Sequence, residues 1–245
     1  MPLALLLLCG LTMLLPSVAR AQDAVVADLS RHLVAITTGF SGADVLLFGA
    51  VEGEGDVIVA VRGPSRDEVV RRKDRELFIW MNRGRGTLRS VPAFYWVAST
   101  RPLQEIATVP VLARYKLGLQ QLDLNVQTRG GEAAEPYREA FLRLKQRSLL
   151  YVERSDDITF LGGKLFRTDL HFPSNVPTGT YFVETFLFRD GQVVSAQTTP
   201  LVVSKVGVGA DISDFARQHS LYYGILAVLT AAAAGWISSV AFRRS

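Results

Sequence analysis

The sequence predicts a mainly β protein that ends in a membrane-spanning helix. Residues 25–100 and 158–206 consist of short period-two segments divided by Gly, Pro and Asp, the pattern of half-buried strands. From Leu221 to Phe242 the chain then carries no Asp, Glu, Lys, Arg or His, before Arg243-Arg244-Ser245. An apolar helix of about 20 residues matches the roughly 30 Å hydrocarbon thickness of a bilayer. Its backbone hydrogen bonds are satisfied internally, so lipid tolerates it despite the interrupting Ser, Trp and Tyr. The two terminal arginines are the positive flank expected on the cytoplasmic side.

At the other end, Leu3 to Leu15 is an apolar run of about 13 residues, the length of a signal-peptide h-region. Pro16 breaks it, and Ala19-Arg20-Ala21 offers an A-x-A cleavage site before Gln22. No Lys or Arg precedes the run, so only the α-amino group charges the n-region. Left uncleaved, the segment becomes a second anchor. In both cases residues 22 to 219 are expected on the exported side. The single cysteine, Cys9, lies inside the signal behind Leu8 and within a continuing apolar run, a poor context for lipidation. A mature chain without cysteine holds its fold by packing, and it excludes thiolate zinc sites and cysteine nucleophiles.

Charge bounds the partners. The chain has 27 Lys and Arg against 23 Asp and Glu, for +4, and loss of Arg20 leaves 26 against 23, or +3. That balance is too mild to demand nucleic acid. The mean hydropathy of +0.21 is inflated by the two apolar ends.

In chain order, the candidate strands are 25–28, 32–37, 44–51, 57–62, 68–73, 77–81, 87–91 and 94–98. Glu52-Gly53-Glu54-Gly55 reads as a hairpin turn, because glycine supplies the positive φ such turns need. Gly63-Pro64-Ser65 reads the same way, with proline ending any ladder. A helical interval follows. Thr108 is a candidate cap for a helix begun by Pro110 and closed by Gly118. A longer helix is predicted from Glu135 to Tyr151, with Tyr137, Phe141, Leu144 and Tyr151 on one face and a Glu139–Arg143 pair on the other. Gln127 to Glu132 between them reads as a loop.

The third region returns to strands over 158–161, 165–171, 181–189 and 201–204. Asp190-Gly191 is a strong hairpin signal. Pro177-Thr178-Gly179-Thr180-Tyr181 resembles the approach to a late strand in immunoglobulin-like domains. Strands at spacings of about 8–12 residues point to a sandwich rather than a βαβ fold. The predicted class is therefore mainly β: an immunoglobulin-like β-sandwich ectodomain, or two, with one or two intervening helices and a C-terminal transmembrane helix. The expected segments are a signal peptide (1–21), a first β-sandwich region (22–127), a loop and connecting helix (128–154) and a second β region (155–206). A juxtamembrane linker (207–220), a transmembrane helix (221–242) and a cytoplasmic tail (243–245) complete the chain.

The residues carry little catalytic chemistry. His32, His171 and His219 lie in separate regions, and no pair shows helical metal-ligand spacing. Gly39-Phe40-Ser41-Gly42 does not meet G-x-S-x-G, and neither a P-loop nor a dinucleotide fingerprint is present. Glu52, Glu54 and Asp56 cluster without the spacing of a twelve-residue calcium loop, and read as a solvated acidic turn. No catalytic, cofactor or metal residue is expected, and the protein is not expected to be an enzyme.

A sharper asymmetry lies between residues 62 and 101, where ten cations against four anions give +6. Arginine predominates, and its planar fork suits carboxylate and phosphate oxygens. Arg71, Arg72, Arg75, Arg83 and Arg85 are candidate contacts for anionic headgroups, an anionic small ligand or an acidic partner; a solvated strand face with local ion pairs is the plainer alternative. Trp80, Phe94, Tyr95 and Trp96 read as core. In the anchor, Ala227, Ala231, Ala234 and Ser238 share a stripe at 100° per residue, with Gly224 and Gly235 on its shoulder. Small residues let helices approach closely inside lipid, so this stripe is a candidate helix–helix contact.

Two blocks add a resemblance. Asp28-Leu29-Ser30-Arg31-His32 through Ile36-Thr37-Thr38-Gly39-Phe40, with Leu46-Leu47-Phe48-Gly49-Ala50, form the first. Phe172-Pro173-Ser174-Asn175-Val176-Pro177-Thr178-Gly179-Thr180-Tyr181, with Gln197-Thr198-Thr199-Pro200-Leu201, form the second. Both resemble the alphaproteobacterial putative transmembrane protein family, over nearly the whole chain. The resemblance implies a single-pass envelope protein and carries over no activity or catalytic residue. The expected placement is the bacterial inner membrane, with the bulk of the chain in the periplasm. The expected role is accessory or assembly partner of another membrane protein.

Overall fold

In the computed structural model, residues 24–76, 79–128, 131–155, 157–207, 216 and 219–242 are described, with the backbone alone for 73–76, 79–83 and 240–242. The predicted signal peptide lies outside them, as do most of the juxtamembrane linker and the last three residues. Among the described residues, thirteen strands form three sheets, accompanied by four α-helices. The first sheet has the order β1-β3-β11-β10, from β1 (Val25–Leu29), β3 (Gly42–Val51), β10 (Thr159–Leu161) and β11 (Leu165–Pro173). The second, six-stranded, runs β2-β13-β12-β4-β7-β9. Its strands are β2 (Leu33–Ile36), β4 (Asp56–Arg62), β7 (Tyr95–Ser99), β9 (Tyr151–Ser155), β12 (Gly179–Arg189) and β13 (Gln192–Lys205). The third joins β5 (Ser65–Glu76), β6 (Ile79–Pro92) and β8 (Val126–Thr128). Both larger sheets draw strands from the early and the late β regions.

Burial explains the layering. In β4, Val57, Val59 and Val61 face the four-stranded sheet, while Ile58 and Ala60 face the other way; all five are inaccessible to solvent. In β7, Trp96 and Ala98 point to one side, and Tyr95 and Val97 to the other. A strand covered on both faces must be continuously apolar, and both runs are. The first core fills the space between the two large sheets. The second lies on the opposite face of the six-stranded sheet, under Val70, Leu88 and Val91 of the third sheet and under the helices.

Within the first core, Phe172 stacks on Phe94 (centroids 5.4 Å, 24°) and meets Tyr181 edge-on (5.7 Å, 83°). The Tyr181 hydroxyl donates to the Pro177 carbonyl (2.5 Å), tying the start of β12 to the turn before it. Burial pushes this hydroxyl well above the usual tyrosine range. At the edge of this core, Gly49 in β3 faces both β1 and β11. A Cβ there would run into the Val26 carbonyl oxygen and lie 2.5 Å from Phe166 Cζ. Gly49→Ala is expected to cost about 2–3 kcal/mol by overpacking against backbone that cannot retreat; urea unfolding in detergent measures it.

The glycine turns depart from the sequence reading. Glu52 to Gly55 joins β3 to β4, which lie in different sheets, and so it is an arch across the first core rather than a hairpin. Gly63-Pro64 likewise carries the chain from the second sheet to the third. Asp190 and Gly191, at φ 49° and 75°, do close the β12–β13 hairpin, as a turn with two positive φ values requires. Residues 79–81 of the predicted 77–81 strand and all of 87–91 belong to one strand, β6, residues 77 and 78 lying outside the described ones. Val126–Thr128 is a strand rather than a loop.

Helix α1 (Leu103–Ile106) was not apparent in the sequence, whereas α2 (Val109–Tyr115) carries the expected first-turn proline. Thr108 makes no side-chain cap, and Lys116 at φ 53° ends the helix. Helix α3 (Glu135–Arg147) stops short of the predicted Tyr151, because Leu149 turns to φ 56° and Tyr151 opens β9. Tyr137 and Phe141 are buried as expected. Leu142 replaces Leu144 on the buried face, and Arg138 pairs with Glu135 (3.2 Å) in place of a Glu139–Arg143 pair. The last helix, α4 (Ser220–Phe242), contains a span, Ser220–Ser239, long and apolar enough to cross a membrane, with mean hydropathy 1.5 and no part buried.

Candidate functional site

The arginine-rich segment folds into the β5–β6 hairpin, and backbone register decides where its charges point. Val70 is paired with Gly86, Arg71 with Arg85 and Arg72 with Gly84. Val70, Gly84 and Gly86 are buried on the inner face. The Tyr137 ring of α3 occupies the space the two glycines leave; a Cβ at Gly86 would sit 2.8 Å from its ring carbons. Arg71 and Arg85 consequently stand opposite each other on the outer face, both exposed.

The hairpin is clamped from several sides. Lys145 of α3 is mostly buried, with 11% of its side chain exposed; it donates to Glu68 (2.8 Å) and lies over the Phe141 and Tyr151 rings at 5.4 and 5.9 Å. Arg66 donates to the Thr178 carbonyl (3.1 Å). β8 pairs with β6 over Gly86–Leu88.

Several of the segment's ten cations are committed within the fold. Arg62 pairs with Glu184 and donates to the carbonyls of Tyr115 (2.6 Å) and Lys116 (3.2 Å), satisfying the C-terminal end of α2. Tyr95 serves the same turn, donating to Lys116 O (3.1 Å) and accepting from Gly118 N (2.9 Å); burial raises its hydroxyl to about 12. Arg89 reaches Gln127 (2.9 Å) and Asp67 (3.8 Å). Among the described residues, neither Arg71 nor Arg85 lies within ion-pair distance of an acid. Arg72 sits across from Gly84. Arg75 pairs with Trp80 in register and Arg83 falls at a bulge, but their side chains, like that of Trp80, lie outside the described ones.

At the opposite end of the six-stranded sheet, a cleft of about 420 Å³ opens between the Glu54–Asp56 arch, Arg101, Glu105 and the Arg189–Gly191 turn. Its polar groups serve one another. Asp56 accepts from Thr100 (2.9 Å) and from Arg101 Nε (2.9 Å) and Nη2 (2.5 Å). Arg189 donates to the carbonyls of Glu52 and Glu54, the latter at 2.8 Å. The Arg101 guanidinium, against the opposing cost of burial, holds the Asp56 carboxyl below its ordinary value of 3.8. A lowered carboxyl contributes stability above its unfolded value and loses it as pH falls through the folded one. Arg101→Gln is therefore expected to lower stability at neutral pH and to flatten its loss below pH ~4, the exposed guanidinium being screened by solvent. Urea midpoints at pH 7 and pH 3 measure both effects.

The histidines are dispersed. His32 lies 2.9 Å from Asp28, and His171 lies 2.7 Å from Asp44. Among the described residues no group of three or more His, Cys, Asp or Glu is placed to hold a metal ion. On α4, Gly224, Ala227, Ala231, Ala234, Gly235 and Ser238 are all exposed, and a shallow apolar groove beside Gly224 runs along Leu221, Ile225 and Val228. Gly224 and Gly235 have open space where a Cβ would stand.

One feature was missed in the sequence. On the face of β2, β13 and β12 that the helices leave uncovered, Leu33 pairs in register with Val202, and Phe182 with Pro200 one step further. Leu33, Val202 and Phe182 are 48%, 42% and 50% exposed. The available signal was consecutive apolar residues in strands with only one covered face, as in Leu201-Val202-Val203.

These features define a mainly β protein with one candidate membrane helix at the C-terminal end of the described chain. The chain belongs to the family described as "Putative transmembrane protein (Alph_Pro_TM)", which matches residues 24–244. No curated protein and no solved structure matches it.

Proposed function

We propose that this is a non-enzymatic, single-pass inner-membrane protein whose β ectodomain faces the periplasm and serves as accessory or assembly partner to another membrane protein. The observation that carries this reading is the exposed apolar cluster of Leu33, Val202, Phe182 and Pro200. A contiguous apolar patch on a sheet face costs solubility unless something covers it. It lies at the end of β13 from which the chain departs towards α4, so a neighbour in the same membrane is the partner within reach. The small-residue stripe of α4 supports a second contact inside lipid.

An immunoglobulin-like reading of the ectodomain as one domain is supported by strand order. β1-β3-β11-β10 faces β2-β13-β12-β4-β7, with β2 parallel to β13, and the Tyr181–Pro177 bond resembles a tyrosine corner. The 53 residues numbered 100–152, together with the β5–β6 hairpin, then form insertions that cover the second core. The test is co-purification in mild detergent. Phe182→Glu with Val202→Glu should strip the partner while leaving the unfolding midpoint near wild type; a strictly monomeric wild-type protein would count against the role.

The opposed Arg71 and Arg85 favour a second reading, in which the same anchored ectodomain binds anionic headgroups or a small anionic ligand.

A further inference from the structure

Strands β5 and β6 leave and rejoin the six-stranded sheet at a single end. Gly63 N donates to Phe94 O (2.9 Å), Ala93 N donates to Pro64 O (2.8 Å), and Pro64 lies against Gly179. This is also the end where β13 finishes, since Gly179 pairs with Val203 and Phe182 pairs with both Pro200 and Arg62. The base of the hairpin and the route to α4 therefore share one end of the domain.

On the outer face of the hairpin, Arg71 and Arg85 are directly opposed. Residues so placed have Cβ atoms about 4.5–5.5 Å apart, and like charges there repel. The nearby acids in the described part are already committed. Asp67 accepts from Ser90 N (2.9 Å) and faces Arg89, and Glu68 holds Lys145. Two arginines paired across the strands, with no acid within ion-pair distance among the described residues, suit the oxygens of a phosphate, which a guanidinium can take in a bidentate manner. Val69, on the same face and 41% exposed, adds an apolar side chain suited to a headgroup boundary.

We propose that Arg71 and Arg85 form a clasp for the phosphate of anionic phospholipid headgroups in the membrane that α4 enters, docking the hairpin on the bilayer surface. The inference rests on the anchored-ectodomain reading above. The anchor argues for lipid over an acidic protein, because it holds the domain permanently beside headgroups at high effective concentration.

The experiment uses the full chain in nanodiscs of phosphatidylcholine alone or mixed equally with phosphatidylglycerol, read by amide hydrogen exchange. Exchange beside Arg71 and Arg85 should slow at least about fivefold in the mixed discs, and the slowing should vanish near 1 M salt, where charges are screened beyond about 3 Å. R71E/R85E should abolish the slowing with β12–β13 exchange unchanged, whereas R71K/R85K should keep part of it. Equal exchange in the two disc types overturns the clasp and leaves the anchor standing, as does the same slowing from inorganic phosphate in phosphatidylcholine discs. A chain that enters neither disc overturns both.

Discussion

Replacing Leu229 and Ala233 with arginine is expected to release the protein from the membrane. Each arginine near the centre of a spanning helix costs about 2.5–3.5 kcal/mol on the insertion scale, so the pair opposes insertion by about 5–7 kcal/mol. The span Ser220–Ser239 gains its insertion energy from single apolar side chains worth a few tenths of a kcal/mol each, diluted by alanines and serines. That margin does not absorb two buried charges. Snorkelling offers no escape, because both positions are more than two turns from either end of α4. The wild type should stay with the pellet in a carbonate wash and the double variant should not. The β domain makes no use of these side chains, so its urea midpoint should not move.

Phe172→Ala is expected to have the largest effect on stability, about 3–5 kcal/mol. Phe172 is wholly buried between the two large sheets, stacked on Phe94 and edge-on to Tyr181. Its loss removes transfer energy, leaves a cavity that rigid sheets on both sides cannot close, and breaks two aromatic contacts worth about 0.5–1.5 kcal/mol each. Against a typical domain stability of about 5–15 kcal/mol this is a large share, and cellular abundance should fall with it. Phe182→Ala is the matched control: the same residue type, half-exposed on β12 of the facing sheet, should change stability little and act on partner binding. Equal losses for the two would contradict the assignment of inner and outer faces.

Much of this architecture was legible from the residue types of the strands and the turn residues between them. Val57 to Val61 and Tyr95 to Ala98 read as strands from their apolar β-branched and aromatic content, and Asp190-Gly191 reads as a tight turn from its backbone chemistry. What a glycine turn does not encode is the sheet that receives the next strand. Glu52 to Gly55 reverses the chain equally well as a hairpin or an arch, and only the partners of β3 and β4 decide. The hairpin interior was hidden for a related reason. Gly84-Arg85-Gly86 looks polar and irregular until Tyr137, some fifty positions away, supplies the bulk that the glycines lack.

The candidate site was legible as composition and not as geometry. Ten cations are visible between residues 62 and 101, but Arg62 and Arg101 are consumed by Glu184 and Asp56, partners distant in sequence. The opposition of Arg71 and Arg85 depends on a register that no local pattern fixes. Nothing in the spacing of Lys145 sets it apart from Arg143 and Arg147 of α3, yet it is the group that holds the helix to Glu68 of β5. The patch of Leu33, Val202 and Phe182 escaped notice because consecutive apolar residues suit a two-sided strand and a one-sided strand equally.

The orientation of the chain can be read with two single cysteines introduced into a Cys9→Ser background. A membrane-impermeant maleimide added to spheroplasts should label Ser174→Cys, on the exposed turn between β11 and β12, and should reach Ser245→Cys only after permeabilisation. Labelling of Ser245→Cys from outside, with Ser174→Cys protected, would contradict the account.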